Sequence, residues 1–269
     1  MREFSYQDRI TLAAKLSAGA MSVAAEPRDT AVVDVQPYDN SSASREAAEN
    51  TLVEMRGSAL HVEAPDKGWR MGRTGRVRVE VRLPEDSRLS IRLASADGRF
   101  DGRYGDSTFY TASGEISVEH VAGDLTIRTA SADVRVGRAD GSASVDSASG
   151  DVVIGYSGAG LSVDTASGDL TVDQAQGWLR ARTASGDIRV GTIGRGDVEL
   201  TTMSGDVRLG VPAGTSIWLD LATASGRTRS DLDHTVGQPA GDGVPDVNLR
   251  VRTASGDIDL RRVPTPVDA

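Results

Sequence analysis

Acidic residues recur along this chain at a spacing close to eighteen. Each is the third residue of a Ser-(Gly/Ala)-(Asp/Glu) tripeptide, whose first six copies begin at positions differing by 18: Ser95, Ser113, Ser131, Ser149, Ser167 and Ser185. Later copies begin at Ser204, Ser225 and Ser255, and Arg227 replaces the acid in one of them. If the copies stack, these acids form a column that runs from Glu115, is interrupted at Arg227 and resumes at the last coil. Its candidate binding residues are Asp133, Asp151, Asp169, Asp187, Asp206 and Asp257.

Stacked carboxylates need solvent, hydrogen-bond donors or cations around them. Like charges about 4.8 Å apart repel by about 0.9 kcal/mol in water and by about 3.5 kcal/mol at an effective dielectric of 20. One interpretation is that each carboxylate caps a turn by accepting backbone N–H bonds while it faces water. The alternative is a Ca²⁺-binding β-roll, which also uses 18 residues per coil. Such rolls need Gly-rich turns on both sides, and the second turn here is irregular, so we expect turn caps, no metal and no cofactor.

The serine of the tripeptide has the residue type of a nucleophile but not its context. A serine nucleophile needs a neighbouring base, and the chain has three histidines, His61, His120 and His234, for nine copies. We therefore expect this hydroxyl to bond its own backbone. A repeated column is typical of a scaffold, whereas an active site is a single constellation, so the pattern predicts a protein that is not an enzyme.

One acidic and basic cluster stands apart from the column. Long β-helix polysaccharide lyases and hydrolases place carboxylates on one face, and a local cluster before the second copy has residues of that type. We favour a solvated charged turn over an active site for this cluster and keep a polysaccharide-active enzyme as the alternative. Its members are Asp97, Arg99, Asp101, Arg103 and Asp106.

Apolar residues alternate with polar ones in two short runs within each copy. The run after one tripeptide contains Leu170 and Val172, and about nine residues later a second run contains Leu179 and Ala181. Alternation with a period of two, bounded by Gly and Asp, is typical of half-buried β-strands. Each 18-residue unit therefore predicts two short strands separated by tight turns.

Two strands per unit can form a meander of hairpins or a coil in which equivalent strands stack in parallel. The coil is favoured because each position repeats its residue type from copy to copy, which places like residues in ladders. We predict an all-β chain folded as a right-handed parallel β-solenoid, or β-helix, of about 18 residues per coil. Because Ala96 and Ala132 occupy the glycine position of the tripeptide, we expect that position to keep a negative φ.

The ends of the chain depart from the repeat. Residues 1–75 lack the tripeptide and are predicted to form an irregular N-terminal cap with degenerate first coils, including a short helix starting at Ser44. Residues 76–262 are predicted to form the solenoid, with a loop insert at 230–246 that is rich in Gly and Pro. The prolines of the tail, 263–269, cannot donate ladder bonds and end the sheet.

Composition limits the partners and the location. The net charge is −9, there is no cysteine, and no stretch reaches the length of a membrane span. The acidic balance argues against nucleic acid as the main partner. The segment 10–25 contains charged and polar residues and alternates like a strand, so we expect a cytoplasmic monomer, with surface or secreted residence as the alternative.

The outward strand positions are the remaining candidate for binding. They form flat polar ladders, and Trp218 lies among them with Arg180 and Glu199. Such ladders suit an unidentified protein or carbohydrate partner, and an exposed indole stacks on a sugar ring. The expected function is therefore that of a non-catalytic binding or scaffold protein.

The repeat also identifies a family. The recurrent Thr-Ala-Ser-Gly-Asp-(Ile/Leu/Val) unit, the half-unit Gly123 to Ile127 and the Val-Arg-Leu-Pro at Val81 to Pro84 resemble a bacterial β-strand-repeat family of unknown function catalogued as "putative adhesins". The resemblance is strongest from Val77 to Leu260 and implies an adhesin-like role. It implies no catalytic residues.

Overall fold

The computed structural model describes residues 1–6, 9–65, 75–232 and 245–264. These ranges contain twenty-one β-strands and one short α-helix, and most strands pair in parallel between successive copies of the repeat. The all-β solenoid predicted from the sequence is confirmed. No helix within these ranges is both long and apolar enough to cross a membrane. The chain divides into two compact units, residues 1–139 and 140–269.

The first unit contains nine strands and the helix. Their bounds are β1 (Arg2–Ser5), β2 (Thr11–Ala25), β3 (Thr30–Pro37), α1 (Ser42–Glu49), β4 (Leu52–Arg56), β5 (Ala59–Glu63), β6 (Val77–Leu83), β7 (Arg88–Tyr104), β8 (Ser107–Val121) and β9 (Leu125–Ala139).

Three coils of the repeat stack in this unit. β7 pairs in parallel with β8, and β8 with β9, so that equivalent residues of successive copies lie side by side, for example Ser95 beside Ser113 and Ser113 beside Ser131. Each coil is one continuous strand of 15 to 17 residues. The sequence predicted two short strands per coil, and in these three coils the two strands run on into each other through the tripeptide as one continuous strand.

The N-terminal strands add further layers to this stack. β2 pairs in parallel with residues 88–101 of β7, and its other edge pairs in parallel with β5 and β6, which together replace one coil. Antiparallel strands then follow, β4 beside β5 and β3 beside β6. The helix lies between β3 and β4 and begins after Ser41, whose hydroxyl accepts from the backbone N–H of Ser44 at 3.1 Å. The predicted helix is confirmed, and it starts two residues earlier than expected because Ser41 supplies the N-cap.

An aromatic cluster fills the centre of the first unit. Phe100 and Phe109 are fully buried, with ring centroids 4.8 Å apart, and Tyr104 packs edge-on at 6.4 Å from Phe100. The Tyr104 hydroxyl lies 2.8 Å from the carbonyl oxygens of Val23 and Asp101, which satisfies its donor. Burial raises the pKa of Tyr104 far above its ordinary value. This cluster therefore joins β2 to β7 and β8.

The second unit contains twelve strands, two per coil. Their bounds are β10 (Ser142–Ser149), β11 (Val152–Ser157), β12 (Gly160–Ser167), β13 (Leu170–Ala175), β14 (Trp178–Ser185), β15 (Ile188–Ile193), β16 (Gly196–Ser204), β17 (Val207–Pro212), β18 (Ile217–Ser225), β19 (Thr228–Ser230), β20 (Val247–Ser255) and β21 (Ile258–Val263).

The last two coils of the second unit stack out of chain order. β16 and β18 both pair with β20, and β17 and β19 both pair with β21. The coil formed by β20 and β21 therefore lies between the two coils that precede it in the sequence. Most of the predicted insert, residues 233–244, and the tail residues 265–269 lie outside the described residues.

Most glycines of the tripeptide have a positive φ, which corrects the expectation from Ala96 and Ala132 for those copies: Gly114, Gly150, Gly168, Gly186, Gly205 and Gly256. Gly168 has φ 133°, a conformation that residues with a Cβ rarely adopt. A Cβ at Gly168 would also lie 2.2 Å from the carbonyl oxygen of Gly150 in the preceding coil. Backbone conformation and close stacking both require glycine at residue 168, whereas Ala96 and Ala132 are not among the described residues with a positive φ.

Candidate functional site

The acidic column is built into the backbone of the second unit. The Oδ1 atom of each aspartate accepts the backbone N–H of the aspartate in the adjoining coil, at 2.9 Å in every case. The bonds run from Asp169 to Asp151, from Asp187 to Asp169, from Asp206 to Asp187 and from Asp257 to Asp206. The structure thus brings these five residues together as caps, each of which fixes the next coil.

The order of the column differs from the sequence expectation. Asp257 follows Asp206 directly because the last coil is inserted, and the backbone N–H of Arg227 donates to Asp257 Oδ1 at 2.8 Å. The expected interruption at Arg227 is therefore wrong: the acids are contiguous from Asp151 to Asp257, and Arg227 stands after the last of them.

Arginines beside the column offset the repulsion between its carboxylates. Arg189 donates to Asp169 Oδ2 at 3.1 Å and to Asp187 Oδ2 at 2.6 Å. Arg208 donates to Asp206 Oδ2 at 3.0 Å and lies 3.7 Å from Asp187 Oδ2. The pKa of Asp169 lies below its ordinary value, chiefly because its carboxylate accepts the backbone N–H of Asp187. Burial acts in the opposite direction, and the hydrogen bond from Arg189 adds to the lowering.

Both oxygens of Asp169 and Asp187 therefore already have donors. Such an arrangement favours the capping interpretation over a Ca²⁺ site, because Ca²⁺ needs six to eight oxygen ligands. Within the described ranges, no three acidic or histidine side chains are grouped in a way that could hold a metal ion.

In the first unit, an acidic residue of the tripeptide also accepts a backbone N–H from the adjoining coil. Asp133 lies beside Glu115 in the register and is exposed. The backbone N–H of Glu115 donates to Asp97 Oδ1 at 3.1 Å, and the Glu115 carboxylate forms an ion pair with Arg135. Asp133 is thus placed at the same position of its coil as the other members of the column.

The charged residues between Asp97 and Asp106 form separate contacts with different partners. Arg99 pairs with Asp101 at 2.8 Å, and Arg103 pairs with Asp86 at 3.0 Å. Asp106 accepts the backbone N–H of Asp124 at 3.2 Å. The structure does not bring these carboxylates together as an acid and base pair.

The tripeptide serines bond across coils. The hydroxyl of Ser113 donates to the carbonyl oxygen of Ala94 at 3.4 Å, and that of Ser131 donates to Ala112 at 3.3 Å. The expectation of a local backbone bond is wrong for these two serines. The preceding coil supplies their acceptors because the strands stack closely.

An open groove lies on the outward sheet face of the second unit. We call it the Trp218 groove. Its volume is about 560 Å³, and its residues are Arg180, Asp197, Val198, Glu199, Trp218, Pro245, Asn248 and Arg250. Trp218 is 50% exposed. Strands β14, β16, β20 and β18 present six of these side chains outward on alternate residues, whereas Val198 is buried beneath them and Pro245 precedes β20.

The polar side chains of the groove are arranged in two rows across the strands. In the first row Asn248 lies between Asp197 and Trp218, and its amide donates to Asp197 Oδ1 at 2.9 Å. In the second row Arg180 donates to Glu199 at 3.0 Å. The same row continues through Arg250, whose side chain donates to Asp220 at 3.1 Å. The groove thus combines one exposed indole with amide, carboxylate and guanidinium groups held in fixed positions.

The sequence identified three of these residues and missed the others. Trp218, Arg180 and Glu199 were expected to point outward, which the structure confirms. Asn248 and Arg250 join them only because β20 is inserted between β16 and β18. The available signal was the 30-residue interval between Ser225 and Ser255, which leaves enough chain for the last coil to change its place.

A family model and a solved structure each match most of this chain. A solved structure with the same fold is a "putative lipid binding protein" from Parabacteroides distasonis ATCC 8503, with a TM-score of 0.51, 10% identity, and coverage of 97% of this chain and 95% of that chain. A "putative adhesin" from Bacteroides fragilis NCTC 9343 aligns with a TM-score of 0.39 and 11% identity, over 97% of this chain and 95% of that chain. No curated protein matches the sequence. The family model described as Toastrack DUF4097 matches residues 15–261, which confirms the resemblance seen in the repeats, and the chain therefore belongs to the Toastrack DUF4097 family.

Proposed function

We propose that this protein is a non-catalytic, adhesin-like binding module and that the Trp218 groove holds uncharged carbohydrate. The observation that carries the proposal is the half-exposed indole of Trp218 beside the Asp197 and Asn248 pair on an open sheet face. An indole face packs against the C–H face of a sugar ring. Carboxylate, amide and guanidinium groups bond its hydroxyls.

The rigid support of the groove favours binding. Each polar side chain is already oriented by a partner, Asn248 by Asp197 and Arg180 by Glu199, so little side-chain entropy is lost when a ligand arrives. The strands beneath are fixed by the aspartate caps described above. A sugar chain would lie across several strands without rearranging the protein.

The same contacts disfavour glycoside hydrolysis. Hydrolysis needs two carboxyl groups on opposite sides of the scissile bond, one of them acting as an acid. Asp197 and Glu199 lie two residues apart on the outward face of one strand, and each is bonded to a neighbouring side chain. This arrangement supports binding without bond cleavage.

Tryptophan fluorescence and calorimetry test the proposal with cello-, chito- and mannohexaose as probes. We expect at least one hexaose to bind without release of reducing ends. Trp218→Ala should weaken that binding by about tenfold or more, since an exposed aromatic anchor dominates such a site. The matched control is Trp178→Ala, because Trp178 is 45% exposed and its ring covers Gly160 outside the groove.

Equal losses from Trp178→Ala and Trp218→Ala would contradict the assignment to this groove. Absence of binding to all three hexaoses would contradict the proposed ligand class. Release of reducing ends would show that the protein is an enzyme after all.

Location decides which glycans the protein meets. Cytoplasmic residence, which we expect from the sequence, assigns the module to intracellular sugar polymers. Recovery in the envelope or the culture medium after cell fractionation would assign it to surface glycans and to adhesion.

A further inference from the structure

A row of basic and aromatic side chains crosses the outward face of the first unit. We call it the basic row: Lys15, Arg92, Tyr110 and Arg128. The ladder register places Lys15 beside Arg92, Arg92 beside Tyr110 and Tyr110 beside Arg128, on β2, β7, β8 and β9. Neighbouring members are therefore about 4.8 Å apart along the stack.

Tyr110 holds the two arginines in place through its ring. The guanidinium carbon of Arg92 lies 5.6 Å from the ring centroid and that of Arg128 lies 5.9 Å from it. Tyr110 is itself 37% exposed, and both arginines are exposed. Cation–π contacts orient the guanidinium groups at low cost.

The outward positions on either side of the basic row are small and uncharged. On one side they are Ala13, Ser90, Thr108 and Thr126, and on the other they are Ser17, Ala94, Ala112 and Ala130. At the far end Lys15 meets Glu63 of β5. The row is thus a defined line of positive charge on a flat face of a chain whose net charge is −9.

We propose that the basic row is a second binding site, specific for acidic polysaccharide that carries carboxylate groups. Arg92 forms a planar fork that matches a carboxylate, with Lys15 adding a point charge beside it. The ring of Tyr110 provides the stacking surface that a sugar ring needs. This site lies in the first unit and uses none of the groove residues, so it does not depend on the proposed function of the Trp218 groove.

Carbohydrate is favoured over nucleic acid for two reasons. The basic row contains only three cations, whereas binding to a phosphate backbone grows with the number of phosphates neutralised. The rest of the chain is acidic, and its field repels duplex DNA, which carries one charge per about 1.7 Å of its axis, more strongly than a polymer with one carboxylate per sugar ring. A sugar acid needs only one or two cations per repeat beside an aromatic surface.

The test measures binding of the whole chain to polygalacturonate at low salt, with the fully methyl-esterified polymer as the uncharged comparison. We expect polygalacturonate to bind and the ester to bind at least about tenfold more weakly. Arg92→Gln and Tyr110→Ala should each weaken binding by about tenfold, and Arg92→Lys by less, because it keeps the charge without the fork. The matched control is Arg82→Gln, an exposed arginine of β6 outside the row.

Urea unfolding of each variant separates a lost contact from a lost fold. Three results would overturn the proposal: no binding of polygalacturonate, equal weakening by Arg82→Gln and Arg92→Gln, or binding that is insensitive to Tyr110→Ala in a folded variant. Double-stranded DNA bound as tightly as polygalacturonate would show a general polyanion surface and would also overturn it. Trp218→Ala should leave polygalacturonate binding unchanged, which keeps this result distinct from the outcome at the groove.

Discussion

The backbone N–H of Asp187 donates to Oδ1 of Asp169 at 2.9 Å, and Arg189 joins the Oδ2 atoms of the same two residues. Each aspartate is therefore a cap for one coil and a donor of its own N–H to another. A bond of this kind links backbone to side chain at every step of the column from Asp151 to Asp257. The bond forms across intervals of 18, 18, 19 and 51 residues, so it depends on the two aspartates occupying the same place in adjoining coils and not on a fixed number of residues between them.

The first prediction concerns this cap. Asp169→Ala should lower the free energy of unfolding by about 1–2 kcal/mol, because it leaves the Asp187 N–H without its acceptor. Asp169→Asn keeps an acceptor oxygen and should cost less. Urea unfolding measures both, with Asp173→Ala as the control for an exposed carboxylate of β13, the strand that begins directly after Asp169. Equal costs for Asp169→Ala and Asp173→Ala would show that the cap contributes nothing.

The second prediction tests the strand register. Val172 is fully buried and its neighbour Thr171 points outward. Val172→Asp should destabilise the protein by about 3 kcal/mol or more through a buried charge without a partner, whereas Thr171→Asp should cost little. Val163→Asp, also at a fully buried position, should behave like Val172→Asp. If the inward and outward substitutions had the same cost, the register would be wrong.

The third prediction separates backbone conformation from crowding at glycine. Gly168→Ala combines an unfavourable positive φ with a Cβ that would lie 2.2 Å from the Gly150 oxygen. It should cost about 2 kcal/mol or more. Gly57 has φ 61° and no atom within 4 Å of an added Cβ. Gly57→Ala should therefore cost only about 1 kcal/mol, and a Gly168→Ala variant as stable as Gly57→Ala would refute the crowding argument.

The stacking of coils was predictable because the sequence repeats its chemistry at a fixed interval. Thr165 and Thr183 lie side by side as the 18-residue spacing predicts, and Thr202 lies beside Thr183 as the next copy of the motif predicts at an interval of 19. The order of the last coils was not predictable, for the same reason. Thr253 fits beside Thr202 and beside Thr223 equally well, since all three carry the same motif. Because every coil carries the same motif, the sequence determines how two adjacent coils align but not which coils are adjacent.

The candidate sites, too, were predictable in part: which residues point outward could be predicted, but which residues lie beside them could not. Trp218 and Tyr110 stand at outward positions that alternation alone assigns. The residues beside them depend on which strands become neighbours. Lys15 meets Arg92 because β2 stacks on β7 across more than seventy residues of sequence. A segment without the tripeptide gave no signal for that partner.

The fourth prediction concerns metal. Millimolar Ca²⁺ should leave the melting temperature nearly unchanged, because the Oδ1 atoms of the column already accept hydrogen bonds from backbone N–H groups. A ligand present at 100 times its dissociation constant would stabilise the fold by about 2.7 kcal/mol. Thermal unfolding with and without chelator makes the comparison. A rise of several degrees that chelator reverses would establish a Ca²⁺-binding roll instead.

The fifth prediction follows from the lowered pKa of Asp169. Its backbone donor from Asp187 holds the pKa below the ordinary value of 3.8 in the folded chain, so the folded state binds this proton less readily than the unfolded state. The resulting stability is fully present above pH 3.8 and is lost as the pH falls through the lower folded pKa. Urea midpoints measured from neutral pH downward should therefore fall more steeply below about pH 4 for the native protein than for Asp169→Asn, which has no charge to titrate at that position. Identical acid profiles for the native protein and Asp169→Asn would mean that the Asp187 N–H does not favour the charged carboxylate.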